Sequence, residues 1–174
     1  MNAKKAIKAL FFIFIVTIAK SQTTGSLILS SSVFEEGKPI PAKYTCASSN
    51  VSPPLSWIGH PKNTKSFAII MDDPDAPMGT WVHWVIYNIP ATVNSLGENY
   101  SINEIKAIDG LSSWNQKGYK GPCPPNGIHR YKFKLYALDA ILGQTEDMTK
   151  EKLLDAMKGH IVGQTTLTGT FSGE

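Results

Sequence analysis

The stretch Tyr131-Lys132-Phe133-Lys134-Leu135-Tyr136-Ala137-Leu138 decides how this sequence folds. Tyr131, Phe133 and Leu135 fall on one face of an extended chain and Lys132 and Lys134 on the other. That period of two marks a half-buried antiparallel strand. Short apolar or alternating runs recur outward from it between turn residues: Leu27-Ile28-Leu29, Ser66-Phe67-Ala68-Ile69-Ile70-Met71 and Trp84-Val85-Ile86-Tyr87-Asn88-Ile89. The last run, 165–171, alternates less cleanly, with Leu167, Gly169 and Phe171 on one face. One good helix is predicted, with Thr149 as N-cap, Glu151 in its first turn, Leu153, Leu154 and Met157 as its apolar stripe, and Gly159 as its stop. Short strands, Pro/Gly turns and one late helix predict a mostly-β fold. The architecture expected is an antiparallel, Greek-key-like β-sandwich with an appended helix.

At 174 residues the chain has room for one domain with a sizeable core. Its first segment reads as a targeting signal rather than as part of that core. Lys4, Lys5 and Lys8 precede an unbroken apolar run over 9–16, and Ala19-Lys20-Ser21 offers small residues at the spacing signal peptidase reads. The run is short for a membrane span, so cleavage before Gln22 is expected, with an uncleaved anchor as the alternative. The expected organisation is a signal peptide over 1–21 and one domain over 22–174, exported to the periplasm or secreted. No cysteine stands directly after the apolar run, which argues against a lipoprotein.

Removal of that segment changes the charge argument. Four of the 17 basic residues precede Gln22 and no acid does, so the formal net charge of +3 becomes 13 basic residues against 14 acidic ones. A basic face for nucleic acid is not implied. Two cysteines, Cys46 and Cys123, remain in a chain bound for an oxidising compartment. One disulfide is the favoured state if their Cα atoms approach within bonding range, and two buried thiols are the alternative. Their spacing fits no CxxC-type zinc pattern.

The chemistry-bearing residues sit where strands meet stiff loops. Asp72-Asp73-Pro74-Asp75-Ala76-Pro77 ends an apolar strand, so its carboxylates are expected to crowd at a strand terminus and to need donors around them. His83, in Trp81-Val82-His83-Trp84, and His129, in Gly127-Ile128-His129-Arg130-Tyr131, are the donors to hand. Residues 110–127 carry Gly110, Gly118, Gly121 and Gly127 with three prolines and no periodic hydrophobicity. A loop of that length in a compact domain is functional or disordered, and Trp114 and Tyr119 favour an ordered one. Gly121 and Gly127 would let backbone amides approach an anion. Read singly, Asp73 to Pro77 could be a turn that caps a strand, and a lone histidine before a strand is more often structural. His60 and His160 read as ordinary surface or helix-end residues.

Together, in order and spacing, these strings resemble the phosphatidylethanolamine-binding protein family, and its prokaryotic branch above all. Tyr44-Thr45-Cys46, the stretch Asn50-Val51-Ser52-Pro53-Pro54-Leu55-Ser56-Trp57 and Gly118-Tyr119-Lys120-Gly121-Pro122-Cys123-Pro124-Pro125 extend the likeness over about 26–171. The resemblance implies a ligand pocket that Asp73, His83 and His129 share. Ala76 and Pro77 would form a wall across a cis bond, Tyr131 would line the site, and Gly121 and Pro122 would cover a bound anion. Ser112 and Asn115 depart from the Asn and Gly expected in the long loop. Asn tolerates a left-handed backbone, which makes Asn115 a mild change.

The function expected is the binding of a small anion, a phosphate, phosphorylated head group or carboxylate, in a regulatory or inhibitory role. The partners expected are that anion, a protein target such as a kinase or peptidase, and a second copy of the chain, with no nucleic acid and no cofactor. The alternative is a hydrolase of phosphoesters or esters working through Asp73, His83 and His129. It lacks a Gly-x-Ser-x-Gly elbow or another convincing nucleophile. A zinc ion on two histidines and an aspartate is conceivable by ligand type but is not the expectation. Both histidines are expected at the rim, contributing little to the core.

Overall fold

A computed structural model describes residues 26–173. The expected signal peptide therefore lies outside the described residues. In chain order the elements are β1 (Ile28–Ser30), β2 (Lys38–Pro39), a 3-10 turn (Ala42–Tyr44), β3 (Leu55–Ile58), β4 (Ser66–Asp73), β5 (Trp81–Pro90), β6 (Ser95–Leu96), α1 (Ile102–Ile105), β7 (Ile108–Asp109), β8 (Ile128–Leu138), α2 (Lys150–Ala156) and β9 (Ile161–Ser172). A three-stranded sheet in the order β1-β3-β6 faces a six-stranded sheet in the order β2-β9-β8-β4-β5-β7. All pairings are antiparallel except β2 with β9. The mostly-β sandwich read from the sequence is the architecture found.

The alternation in β8 sets the layers. Tyr131, Phe133, Leu135 and Ala137 point into the core between the sheets, where they meet Leu29, Leu55, Trp57 and Leu96 of the small sheet and Phe67, Ile69, Met71, Trp84 and Ile86 of β4 and β5. Each large side chain buried there contributes about 1.5–3 kcal/mol. The other face of the large sheet, with Ala68, Ile70, Val85, Tyr87 and Leu138, is covered by Leu142 and by Leu153 and Met157 from the α2 region. All eight positions of β4 are consequently buried, and a strand covered on both faces shows no alternation. Thr149 caps α2 by accepting from the Lys152 amide. The helix ends at Ala156, before Gly159, whose φ of 78° carries the turn into β9.

The 110–127 loop is held in place without regular structure. Val82 and Ser113 exchange two hydrogen bonds, the Tyr119 hydroxyl donates to Tyr44 O, and the Cys46 amide donates to Pro122 O. Asn115 sits at φ 56°, the left-handed position at which asparagine is tolerated. Among the described residues, no helix is long and apolar enough to cross a membrane.

Candidate functional site

The end of β4 separates its aspartates instead of crowding them, which corrects the sequence expectation. Strand alternation puts Asp73 on the core face with Ile69 and Met71, and Asp72 on the opposite face with Ala68 and Ile70. Asp72 is buried beneath Lys134 and Lys150, 2.8 and 2.7 Å from its Oδ2. Asp75, in the turn that follows, receives the Arg130 guanidinium on both oxygens and the Arg130 amide as well. Its hydrogen bonds to Arg130 hold its pKa down to about 2. Asp73 accepts the Asp75 amide on Oδ1 at 2.8 Å and His129 Nδ1 on Oδ2 at 2.7 Å.

The two histidines reach the site by different routes. His129 lies on the core face of β8, two residues before Tyr131, and is 7 % exposed. His83 is the extra residue of a β-bulge, since Met71 pairs with Trp84 and Asp72 with Val82 while nothing pairs with His83. It is 3 % exposed. Both are thus buried rather than at the rim, because one sits on a core-facing strand position and the other is turned inward by the bulge.

Hydrogen bonding fixes both rings. His83 Nδ1 faces two acceptors, Lys120 O at 2.8 Å and Gly121 O at 3.1 Å, so Nδ1 carries the proton. His129 Nδ1 faces a carboxylate and carries a proton for the same reason. Among the described residues, neither Nε2 atom has a protein partner. Burial lowers the His83 pKa, opposed by its carbonyl acceptors and by the charge of Asp73. The Tyr131 ring meets the His83 ring edge-on at 5.2 Å, and among the described residues its buried hydroxyl finds no hydrogen-bond partner.

A cavity of about 270 Å³ opens here, with Asp73 and His83 at its polar end and Ala76 and Pro77 along a wall. Trp81, Trp114 and Met78 supply an apolar side, and Cys123 and Pro125 complete it. Trp114 packs edge-on against both Trp81 and His83, at 5.4 and 5.0 Å between ring centres. The sequence reading did not place Trp81 or Trp114 in the pocket; their signal was an aromatic pair flanking the two ends of the same loop-to-strand contact. His129 and Tyr131 are not among the residues that line this cavity: His129 is joined to it through its hydrogen bond to Asp73, and Tyr131 through its ring contact with His83.

Three expectations need correction or completion. The Gly121 amide does not face the cavity: it donates to Asn50 Oδ1 at 2.8 Å, and Gly121 contributes its carbonyl to His83 instead. Pro122 likewise spends its carbonyl on the Cys46 amide and lies buried behind the wall. The Ala76–Pro77 bond is trans, as are all peptide bonds among the described residues. Gly79 N–H closes a turn on Ala76 O, which places Pro77 at the second turn position, where a trans proline fits. The cysteines are joined, with Cα atoms 5.4 Å apart, so the alternative of two thiols does not hold in this structure. His160 pairs with Asp139 at the surface, as read, whereas His60 is half-buried and packs edge-on against the core residue Phe67. Among the described residues, no group of three or more His, Cys, Asp or Glu side chains is arranged to hold a metal ion.

The depressed His83 pKa has a measurable consequence. The unfolded chain regains an ordinary histidine, so below about pH 6.5 it binds more protons than the folded one, and stability falls with pH. Thermal melts of ligand-free protein should lose stability as pH drops through the histidine range. His83→Asn should flatten that slope, and an unchanged slope would contradict the burial of a neutral ring.

A family model described as phosphatidylethanolamine-binding protein matches residues 30–172. A UPF0098 protein of Methanothermobacter thermautotrophicus is 45 % identical over 146 residues, which span 82 % of this chain and 97 % of that protein. One from Chlamydia trachomatis is 44 % identical over 148 residues, with the same coverage, 82 % and 97 %. The crystal structure of a phosphatidylethanolamine-binding protein homolog from Chlamydia trachomatis, CT736, superposes with a TM-score of 0.82 at 42 % identity, covering 86 % of this chain and 99 % of that one. Escherichia coli YbcL, described as a member of the mammalian family, superposes at 0.78 with 28 % identity and the same coverage, 86 % and 99 %.

Proposed function

The chain belongs to the prokaryotic branch of the phosphatidylethanolamine-binding protein family, and on that premise we propose that it is an exported binding protein whose cavity takes a small anion, a phosphate or phosphorylated head group, in a regulatory or inhibitory role. One observation carries this reading. Among the described residues, both imidazoles spend Nδ1 on protein acceptors and leave Nε2 without a partner, beside a buried Tyr131 hydroxyl that also has none. Protonated at Nε2, the rings become donors of charge-assisted hydrogen bonds to an anion, with Asp73 orienting His129.

Further features support the reading. Cys123, which lines the cavity, is held in a disulfide and presents no thiolate for covalent catalysis. Pairing of Cys46 with Cys123 suits an oxidising compartment and so agrees with the export signal read over 4–21. The exposed Met78 and Trp114 give the mouth an apolar rim on which a protein target would seat.

Titration calorimetry with inorganic phosphate and with phosphoethanolamine tests the proposal. His83→Ala and His129→Ala should each weaken binding by the value of a charge-assisted hydrogen bond, about 1.5–3 kcal/mol. An anion stabilises the His83 imidazolium, which burial disfavours in the free protein, so its pKa rises on binding and binding takes up protons. Affinity should therefore rise as pH falls through the interval between its bound and free values, with sulfate serving as a ligand that does not itself titrate there. Variants that bind as well as the parent, or affinity that weakens as pH is lowered, would refute the site.

A further inference from the structure

A second cleft, of about 440 Å³, is bordered by Gly118 and Tyr119, which immediately precede the two residues whose carbonyls hold His83. Its polar centre is Asp109, at the end of β7. Six of the seven aspartates have a basic side chain within ion-pair distance: Asp72, Asp73, Asp75, Asp139, Asp147 and Asp155. Among the described residues Asp109 has none.

One of its oxygens accepts no hydrogen bond among the described residues. The Tyr100 hydroxyl donates to Asp109 Oδ1 and is itself held by Trp84 Nε1 at 3.0 Å, so it has no second proton for Oδ2. Oδ2 lies toward Gly118, 3.8 Å from where a Cβ would stand; glycine at φ 87° leaves that approach open. The partly buried carboxyl has its pKa raised by burial, a cost that an unpaired charge carries until a counter-charge arrives. The charge of Lys117 works against that rise, but among the described residues Lys117 makes no ion pair with Asp109. No lysine or arginine lines the cleft, whereas Asn99 and Ser101 bring neutral side-chain oxygens that can accept from a donor. Tyr100 and Tyr119 add aromatic rings suited to a cation or its alkyl stem.

We propose that this cleft is a second ligand site, separate from the histidine cavity, and that it binds a small primary amine whose ammonium group is received by Asp109 Oδ2. The chemistry needed is a compact cation with several N–H donors.

The test is an amide-resolved NMR titration of the whole folded protein with butylamine, using butanol and butyrate as neutral and anionic controls. The expected result is saturable shifts at residues 99–101, 109 and 118–119 for the amine alone, and at least a tenfold loss of affinity in Asp109→Asn. Ser101→Leu provides a second variant, since the Ser101 side chain makes no capping hydrogen bond to α1 and its replacement narrows the cleft without removing the carboxylate. It should also weaken the amine by at least tenfold. Retention of the parent's fold by both variants is read from their spectra. Butylamine that binds no better than butanol, that shifts Trp81 and Trp114 in place of the cleft residues, or that binds both variants within twofold of the parent would overturn the proposal.

Discussion

Replacing Cys46 and Cys123 together by serine is expected to cost about 4 kcal/mol of stability. The bond closes a loop of 77 residues. Its main effect is to restrict the unfolded chain, and loop-closure entropy grows with loop length. The folded state should change little, because the Cys46 amide still donates to Pro122 O and the Gly121 amide to Asn50. In a chain of this size such a loss lowers the melting temperature by about 8–16 °C. Calorimetric melts of the oxidised parent and the double variant measure it. A drop of less than about 2 °C would show that the bond constrains little that the fold does not already hold.

Gly121→Ala is the second large effect. Its Cβ would stand 2.3 Å from Tyr44 O, 2.6 Å from Asn50 Oδ1 and 2.8 Å from Thr45 Cα. Two of these atoms are backbone, and the third is fixed by its hydrogen bond to the Gly121 amide itself. No rotamer relieves the clash, so the wall must move and carry with it a carbonyl that receives His83. The expected cost is about 3 kcal/mol of stability. Phosphate affinity should fall by at least tenfold as His83 loses its orientation. Gly97→Ala, where a Cβ meets nothing within 4 Å, is the control and should stay within about 0.5 kcal/mol. Denaturant unfolding and titration of the two variants decide it; equal behaviour would contradict the role of Gly121 as a packing position.

These corrections show which physics a sequence exposes. The alternation of Tyr131, Phe133 and Leu135 was legible because β8 is covered unevenly on its two faces, and it carried His129 to the core side with them. The split of Asp72 from Asp73 was legible by the same period, through Ile69, Met71 and Asp73, but was obscured because β4 is apolar on both faces. The bulge that turns His83 inward has no local signature: it arises from a register shift against β4 and appears only once the strands pair. Gly121 was recognisable as a position of close approach. What approaches it is the backbone of Tyr44 and Thr45, joined through a contact spanning more than seventy residues, and not a ligand. Trp81 and Trp114 escaped for the same reason, since their edge-on packing depends on how the long loop returns to β5.

The central claim is that His83 and His129 present free Nε2 atoms to an anion. Proton–nitrogen correlation spectra of the histidine side chains, recorded with and without inorganic phosphate, test it most directly. In the free protein both rings should carry a proton on Nδ1, and saturating phosphate should move both Nε2 signals into the protonated range while Nδ1 stays protonated. Nε2 signals that do not move when phosphate binds, or rings protonated only at Nε2 in the free protein, would contradict the account.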